Sequence, residues 1–591
     1  MKNNNNLSPE LFAINLAKIL EQYQLIINKL IDKQSNQNNV PSMGMNGLSM
    51  AMTEVMSKIF SDPEKLMSYQ MNYMNNYISL VNNTMASFMG EAHQALYKPE
   101  DKDYRFKDPV WQDSIIYNFI KQSYIMTSEV MKKMVEEVAD IDRKTIVKAE
   151  FYMRQLIDAL SPTNFVLTNP IVLKETIESN GNNLVKGMEK MLHDIEKSKR
   201  LIDIQTTDEN AFELGVNIAN TKGKVIYQND LMQLIQYTPL KDQNYEIPLL
   251  IVPPCINKYY ILDLNEENSC IKWLLNQGYS VFMISWVNPG RELSEKNFEN
   301  YILEGPIAAL DAIEKSTGIK KVNLMGYCLG GTILAVTSAY LKAIKDKRIN
   351  STSFIATLID FKDAGELSVF IDDAQLDYLE KRMEEDGFLD GADMFETFNL
   401  LRANDMIWSC FINNYLLGKD PIPFDLLYWN SDSTRLTYKM HSFYLREYYQ
   451  HNKLITPGAI KINNIKIDLA KIDNDCYFLS CKEDHITPWK STFAALKYFK
   501  GNVQFALSGS GHVGGVINPP TKNKYGYWIN DKDLSDPDKW LDNSANHQGS
   551  WWLNWDSWCK DRSGKLIKAI DPKDGRLKII EDAPGSYVKM K

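Results

Sequence analysis

The chain is expected to be an α/β protein, a mostly parallel sheet with helices on both faces. It should carry a lid or cap insertion and follow a mainly helical N-terminal domain. Three observations predict this. After residue 205, short apolar runs rich in β-branched and aromatic residues alternate with segments of helical spacing, which is the pattern of a parallel sheet covered on both sides. Residues 110–200 repeat apolar positions every three or four residues without such runs. One cysteine, in "LMGYCLGGT" (324–332), stands among glycines where a strand-like stretch meets a helix-like one.

Residues 1–95 form a variable region rich in Met and Asn. Its polar break "DKQSNQNNVPSMGMNG" (32–47) has the composition of a disordered segment. Met43, Met45, Met50, Met52, Met56, Met67, Met71 and Met74 follow; ordinary helix packing is favoured over an adaptable sticky face for a partner or apolar surface. Residues 96–204 form the helical domain: "DSIIYNFIKQSYIMTSEVMKKMVEEV" has helical spacing, "SPTNFVLTNP" is a proline-bounded loop, and helical spacing resumes either side of Gly181. Residues 205–591 form the α/β domain. Its strands are expected at 247–253, 279–286, 321–325, 353–361, 476–481 and 503–507, with helices in "CIKWLLNQG", "FENYILEGPIAALDAIEKSTG" and "STFAALKYF". Residues 362–462 interrupt the alternation with mainly helical sequence and the aromatic "PFDLLYWN", as a water-excluding lid would.

The cysteine motif has a chemical reading. A strand, then Gly326-Tyr327-Cys328-Leu329-Gly330, then "TILAVTSAYLKAI", matches the nucleophile elbow of the α/β-hydrolase fold. The tight turn demands small residues beside the nucleophile, and the helix N-terminus favours a thiolate. The fold then asks for an acid after a later strand and a histidine after the last. Asp484 follows "CYFLSC" and His512 follows "VQFAL", in the order Cys, Asp, His. The Leu329 amide is one candidate oxyanion donor. The second is expected after an early strand, in "VPPCINKYY", from Ile256 or Asn257. His485, Phe424, Tyr428 and Trp429 are pocket or lid candidates. Asp263 reads as a structural cap, and Cys255 as packing.

Other classes lose support. The formal charge is −9 over 591 residues, which argues against bulk attraction to nucleic acid. The seven cysteines are scattered without C-x-x-C, and His93, His193, His441, His451 and His547 make no ligand-spaced pair, so neither a metal nor a disulfide framework is expected. P-loop and dinucleotide fingerprints are missing, and no cofactor is expected. No apolar run is long enough for a transmembrane helix, and a cytoplasmic location is the expectation.

In combination, "SPTNFVLTNP", "LIQYTP", "PPCINKYYILDL", "GYCLGGT", "TLIDFKDAGELSVFID", "LRANDMIW", "NNYLLGKDPIPFDLLYWNSDSTR", "EDHITPW", "SGSGHVGGVINPP" and "GSWWLNWDSW" make the chain resemble the class I polyhydroxyalkanoate synthases, over most of residues 110–590. The resemblance implies polymerisation of (R)-3-hydroxyacyl-CoA, with short acyl chains such as 3-hydroxybutyryl favoured and CoA released as part of the substrate. It implies Cys328 as acyl carrier, His512 as base and Asp484 as third member, orienting the histidine or activating the 3-hydroxyl. It further implies a homodimer, a growing polyester chain at a granule surface, and phasin-type partners. Arg402 and nearby lysines are the groups to test for CoA phosphates.

A thiol suits this chemistry. Attack of sulfur on a thioester exchanges one C–S bond for another, so the acyl-enzyme keeps its transfer potential for the next hydroxyl. Two readings compete: a thioesterase or polyester depolymerase of the same fold, and a catalytically silent granule-binding protein.

Overall fold

Eleven strands pair into one sheet in the computed structural model, which describes residues 8–36, 45–90, 94–198, 200, 202–530 and 534–591. They are β1 (Gly223–Gln228), β2 (Met232–Tyr237), β3 (Leu249–Val252), β4 (Val281–Trp286), β5 (Val322–Tyr327), β6 (Ile349–Ile355), β7 (Asp475–Cys481), β8 (Val503–Ser508), β9 (Tyr527–Ile529), β10 (Ala545–His547) and β11 (Glu581–Asp582). The spatial order is β10-β9-β8-β7-β6-β5-β3-β4-β2-β1-β11. The six strands from β8 to β4 are mutually parallel, and antiparallel strands extend both edges. Strands β3, β4 and β5 are buried along their whole length, which explains their unbroken apolar sequence. Chain order reverses between β3 and β5, and in open α/β sheets the crevice at such a switch point is where ligands bind.

The α/β expectation is met, with one instructive shift. The apolar pattern predicts a strand at 353–361, but β6 runs Ile349–Ile355 and the chain turns at Ala356, whose φ is +45°. The polar residues early in β6, half-buried Asn350 and buried Ser351, are satisfied by their neighbour strand. Ser351 Oγ and Asn350 Nδ2 donate to Asn323 Oδ1 at 2.8 and 2.9 Å. Hydrophobicity could not register a strand built that way.

Two compact units result. Residues 1–208 form one together with Thr397–Ile422; Glu209–Glu396 and Pro423–Lys591 form the other. Residues 1–95 and 96–204 therefore share one unit, and the insertion at 362–462 is divided. In the helical unit, Pro9–Asn36 packs on Asn182–Lys197, Met45–Phe60 on Arg143–Ala159, and Pro63–Phe88 on Ile115–Glu136. Gly187 lies so close to the Tyr415 carbonyl that no side chain fits between them. Tyr415 OH donates to Asp194 at 2.6 Å, fastening the 397–422 segment there.

The methionines divide. Met52 and Met56 pack against Val55, Val135 and Met153, whereas Met50, Met67, Met71 and Met74 are exposed. Half of the Asn-rich break, residues 37–44 with Met43, lies outside the described residues, as does His93. No described helix is long and apolar enough to cross a membrane.

Candidate active site

Strand β5 ends in Gly326-Tyr327, and Cys328 caps the helix Leu329–Ala343 with φ 53° and ψ −125°. A non-glycine residue there costs on the order of 1–3 kcal/mol and persists only because its surroundings fix it. Two glycines show how. A Cβ on Gly326 would stand 2.5 Å from the Gly331 Cα, and one on Gly330 would enter the Val252 carbonyl and stand 2.7 Å from the Pro253 carbonyl oxygen. The turn is thus pressed against its own helix and against the end of β3. The Cys328 amide donates to the Ile355 carbonyl at 2.9 Å, which locks the strained residue to β6.

The acid and the histidine meet through sheet register. Cys481 of β7 pairs with Ser508 of β8 in parallel, so the loops that follow leave side by side. The Glu483 amide donates to the Ser510 carbonyl at 2.9 Å and laces them together. Asp484 Oδ2 then lies 2.7 Å from His512 Nδ1. Because a carboxylate only accepts, Nδ1 carries the proton and Nε2 is left as the basic nitrogen. The Asp484 side chain is fully buried and that of His512 nearly so.

Burial alone pulls the His512 imidazolium down. The Asp484 carboxylate, and after it the nearby Cys328 sulfur, outweigh burial and hold its pKa well above the ordinary value. Burial pushes the Asp484 carboxyl up, but His512 and the Thr487 hydrogen bonds bring it below its ordinary value. Asp484 and His512, 28 positions apart, are thus hydrogen-bonded, and Cys328, 156 positions before Asp484, is near enough for its sulfur to act on the imidazolium.

Sequence reasoning missed several supports. Asp484 also accepts from the Ile486 amide at 2.9 Å, the Thr487 amide at 2.8 Å and the Thr487 hydroxyl at 2.7 Å. An Asp followed three residues later by Thr is a local capping pattern, so Thr487 was legible in "DHIT". Tyr327 OH donates to the His512 carbonyl at 3.2 Å, and the two rings stack 5.5 Å apart. Tyr444 and Tyr449 come from the π-helix Tyr444–Gln450, a local widening common at functional sites. Burial raises both phenols, and the Cys328 sulfur raises each further, so both stay protonated beside it. Nothing in their spacing singles out Tyr327, Tyr444 or Tyr449.

The other candidates disperse. Leu329 is the first residue of its helix, where a backbone N–H has no partner within the helix. Ile256 is buried beyond the end of β3, and Asn257 pairs with Ser433 through an isolated bridge. Cys255 is buried, and its thiol is pushed up by burial and further by Cys328, so it stays an inert packing group. Tyr428 and Trp429 join the core cluster against which Cys328 packs, while Phe424 is 47% exposed. His485 is half-buried, and its carbonyl accepts from the Glu366 amide at 3.0 Å. Asp263 accepts from Thr221 and Ser269, and burial raises its carboxyl to about 6; its place is structural, but Ser269 rather than Asp263 caps the helix Cys270–Gln277. Arg402 pairs with Asp405 at the surface of the helical unit.

Comparison with known proteins fits this geometry. Residues 248–519 match the α/β-hydrolase fold model, and residues 102–274 match the model described as the N-terminus of poly-β-hydroxybutyrate polymerase (PhaC). The poly(3-hydroxyalkanoate) polymerase subunit PhaC of Rhizobium meliloti is 41% identical over 99% of this chain and 95% of its own. The polymerase of Methylorubrum extorquens is 41% identical over 98% and 97%, and that of Cupriavidus necator 38% identical over 90% and 89%. With such identity over nearly its whole length, joined to the α/β-hydrolase sheet, the chain belongs to the poly(3-hydroxyalkanoate) polymerase family of enzymes.

Proposed function

We propose that the chain polymerises (R)-3-hydroxyacyl-CoA thioesters, favouring 3-hydroxybutyryl-CoA, into polyester with release of CoA, through an acyl group carried on Cys328. The observation that carries this reading is His512, bound through Nδ1 to the buried Asp484 at 2.7 Å, with the sulfur of the elbow cysteine near enough to act on its charge.

His512 Nε2 takes the Cys328 proton as sulfur attacks the thioester carbonyl. The tetrahedral oxyanion is received by the Leu329 amide and, beyond β3, by the Ile256 amide; each such donor contributes roughly 3–4 kcal/mol in comparable sites. Collapse expels CoA as its thiol, with the proton returned from His512. In the second half the same nitrogen takes the proton of a 3-hydroxyl, whose oxygen attacks the acyl-cysteine; an ester bond forms and the C–S bond breaks. The 2.7 Å contact favours Asp484 as the group that fixes the imidazole tautomer over direct action on the hydroxyl.

Buried Tyr444 and half-buried Tyr449 near the sulfur fit a site that excludes water from an acyl-enzyme able to hydrolyse. The CoA of the substrate is the carrier, and no separate cofactor is needed. A homodimer, residence at cytoplasmic polyester granules and phasin-type neighbours belong to the same proposal.

The test is incubation with (R)-3-hydroxybutyryl-CoA and isolation of the product. Insoluble polyester with stoichiometric CoA supports the reading. Free 3-hydroxyacid identifies a thioesterase instead, and absence of CoA release identifies a silent granule-binding protein.

A further inference from the structure

Two residues past the Ile256 amide stands a lysine that the chemistry above does not use. Lys258 Nζ donates to Asp432 Oδ1 at 2.7 Å and to the Met590 carbonyl at 3.0 Å. Both side chains of the ion pair are only 4% exposed. Tyr260 OH donates to the other Asp432 oxygen at 2.9 Å, and the exposed Lys591 ammonium lies 3.9 Å from Asp432 Oδ1.

The backbone around Lys258 is gripped as well. Trp429 Nε1 donates to the Lys258 carbonyl at 2.7 Å, and Asn257 forms a β-bridge with Ser433. At its other end, the helix Asp425–Ser431 presents the buried Asp425, which accepts from Asn265 at 2.6 Å and Asn268 at 2.7 Å. A carboxylate at each end of one short segment thus ties it to the loop that follows β3. On its opposite flank, that loop begins at the Val252 and Pro253 carbonyls, pressed against Gly330 of the elbow.

A buried ion pair is a poor source of stability, because desolvation offsets most of the attraction, but it tolerates only a narrow geometry. We propose that the Lys258–Asp432 pair is a positioning device for the reaction: it holds residues 256–258 in register so that the Ile256 amide meets the oxyanion formed on Cys328. The proposal rests on the reading of Cys328 as acyl carrier and Ile256 as oxyanion donor. It also gives the 425–433 part of the insertion a fixed role, as a buttress of the loop beyond β3.

Two reactions of the same sulfur test it. Acylation of Cys328 by (R)-3-hydroxybutyryl-CoA builds an oxyanion; alkylation by iodoacetamide does not. In Asp432→Asn, the acylation rate is expected to fall about 10- to 100-fold, a part of what losing a donor outright costs. The alkylation rate should stay within about twofold.

Since Asp432→Asn strands a buried ammonium, the double variant Lys258→Met/Asp432→Leu serves as control. Its thermal midpoint should return to or above that of the unsubstituted chain while acylation stays slow. Unchanged acylation, a parallel fall of both rates in a folded variant, or recovery of acylation in the double variant overturns the proposal. If the unsubstituted chain never acylates Cys328, the proposed function itself fails and the positioning role goes with it.

Discussion

Gly330→Ala adds a single methyl group where the elbow meets the end of β3. Its Cβ would stand 2.7 Å from the Pro253 carbonyl oxygen, closer still to that of Val252, and 2.8 Å from the Pro253 carbonyl carbon. Ordinary contact begins near 3.4 Å, so the Val252 carbonyl, the nearest atom, must part from the elbow by more than about 1 Å. All the contacting atoms are main chain, so no flexible side chain can absorb the displacement. Overpacking of this kind costs about 1–3 kcal/mol. The same movement carries the loop bearing Ile256 away from Cys328, and a misplacement of about 1 Å in a reacting geometry costs on the order of 100-fold. The expected outcome is a lowered thermal midpoint together with a Cys328 acylation rate down by about 100-fold, read by quenched-flow mass spectrometry of the acyl-enzyme. A folded Gly330→Ala protein acylating at the unsubstituted rate would refute the argument that this contact sets the distance between thiol and oxyanion donor.

Cys328→Ala is expected to abolish acyl labelling with the fold retained; labelling at any other cysteine refutes the assignment of the nucleophile. His512→Gln should lower turnover by about three orders of magnitude or more, and near-normal CoA release would remove it as base. Thr487→Val deletes the 2.7 Å hydroxyl contact to Asp484 while keeping the side-chain volume. A hydrogen bond to a charged group contributes about 1.5–3 kcal/mol, so kcat/KM should fall about 10- to 100-fold and Thr487→Ser should restore it; an unchanged kcat/KM rejects the support role. His441 is buried, its Nδ1 has no hydrogen-bond partner among the described residues, and burial lowers it to about 4. The unfolded chain therefore binds the extra proton between about pH 6.5 and 4, and stability falls across that window as pH is lowered, by about 3 kcal/mol in all. His441→Leu should flatten this acid limb in denaturant titrations, and an unaltered limb counts against it.

Local order was enough for much of this protein. The glycine-flanked Cys328 at a strand–helix junction, then Asp484 and His512 each just past an apolar run, are one-dimensional signals, because the fold delivers its chemistry at strand ends. Burial on both faces makes the central strands continuous apolar runs, so β3, β4, β5, β7 and β8 could be read directly. Thr487 also lay within reach, three residues from the carboxylate it supports.

Only the tertiary structure could decide the rest. Strand β6 carries near its start Asn350 and Ser351, polar residues whose partner Asn323 comes from β5. The segment Thr397–Ile422 leaves the α/β unit for the helical one, a choice made by side chains such as Tyr415 and Asp194, 221 residues apart. Tyr444, Tyr449, and the Lys258–Asp432 pair acquire meaning from neighbours distant in the chain. Periodicity records which face of an element is apolar, and motifs record short-range geometry. Partner choice between distant side chains depends on how elements stack, and that information is absent until the sheet has assembled.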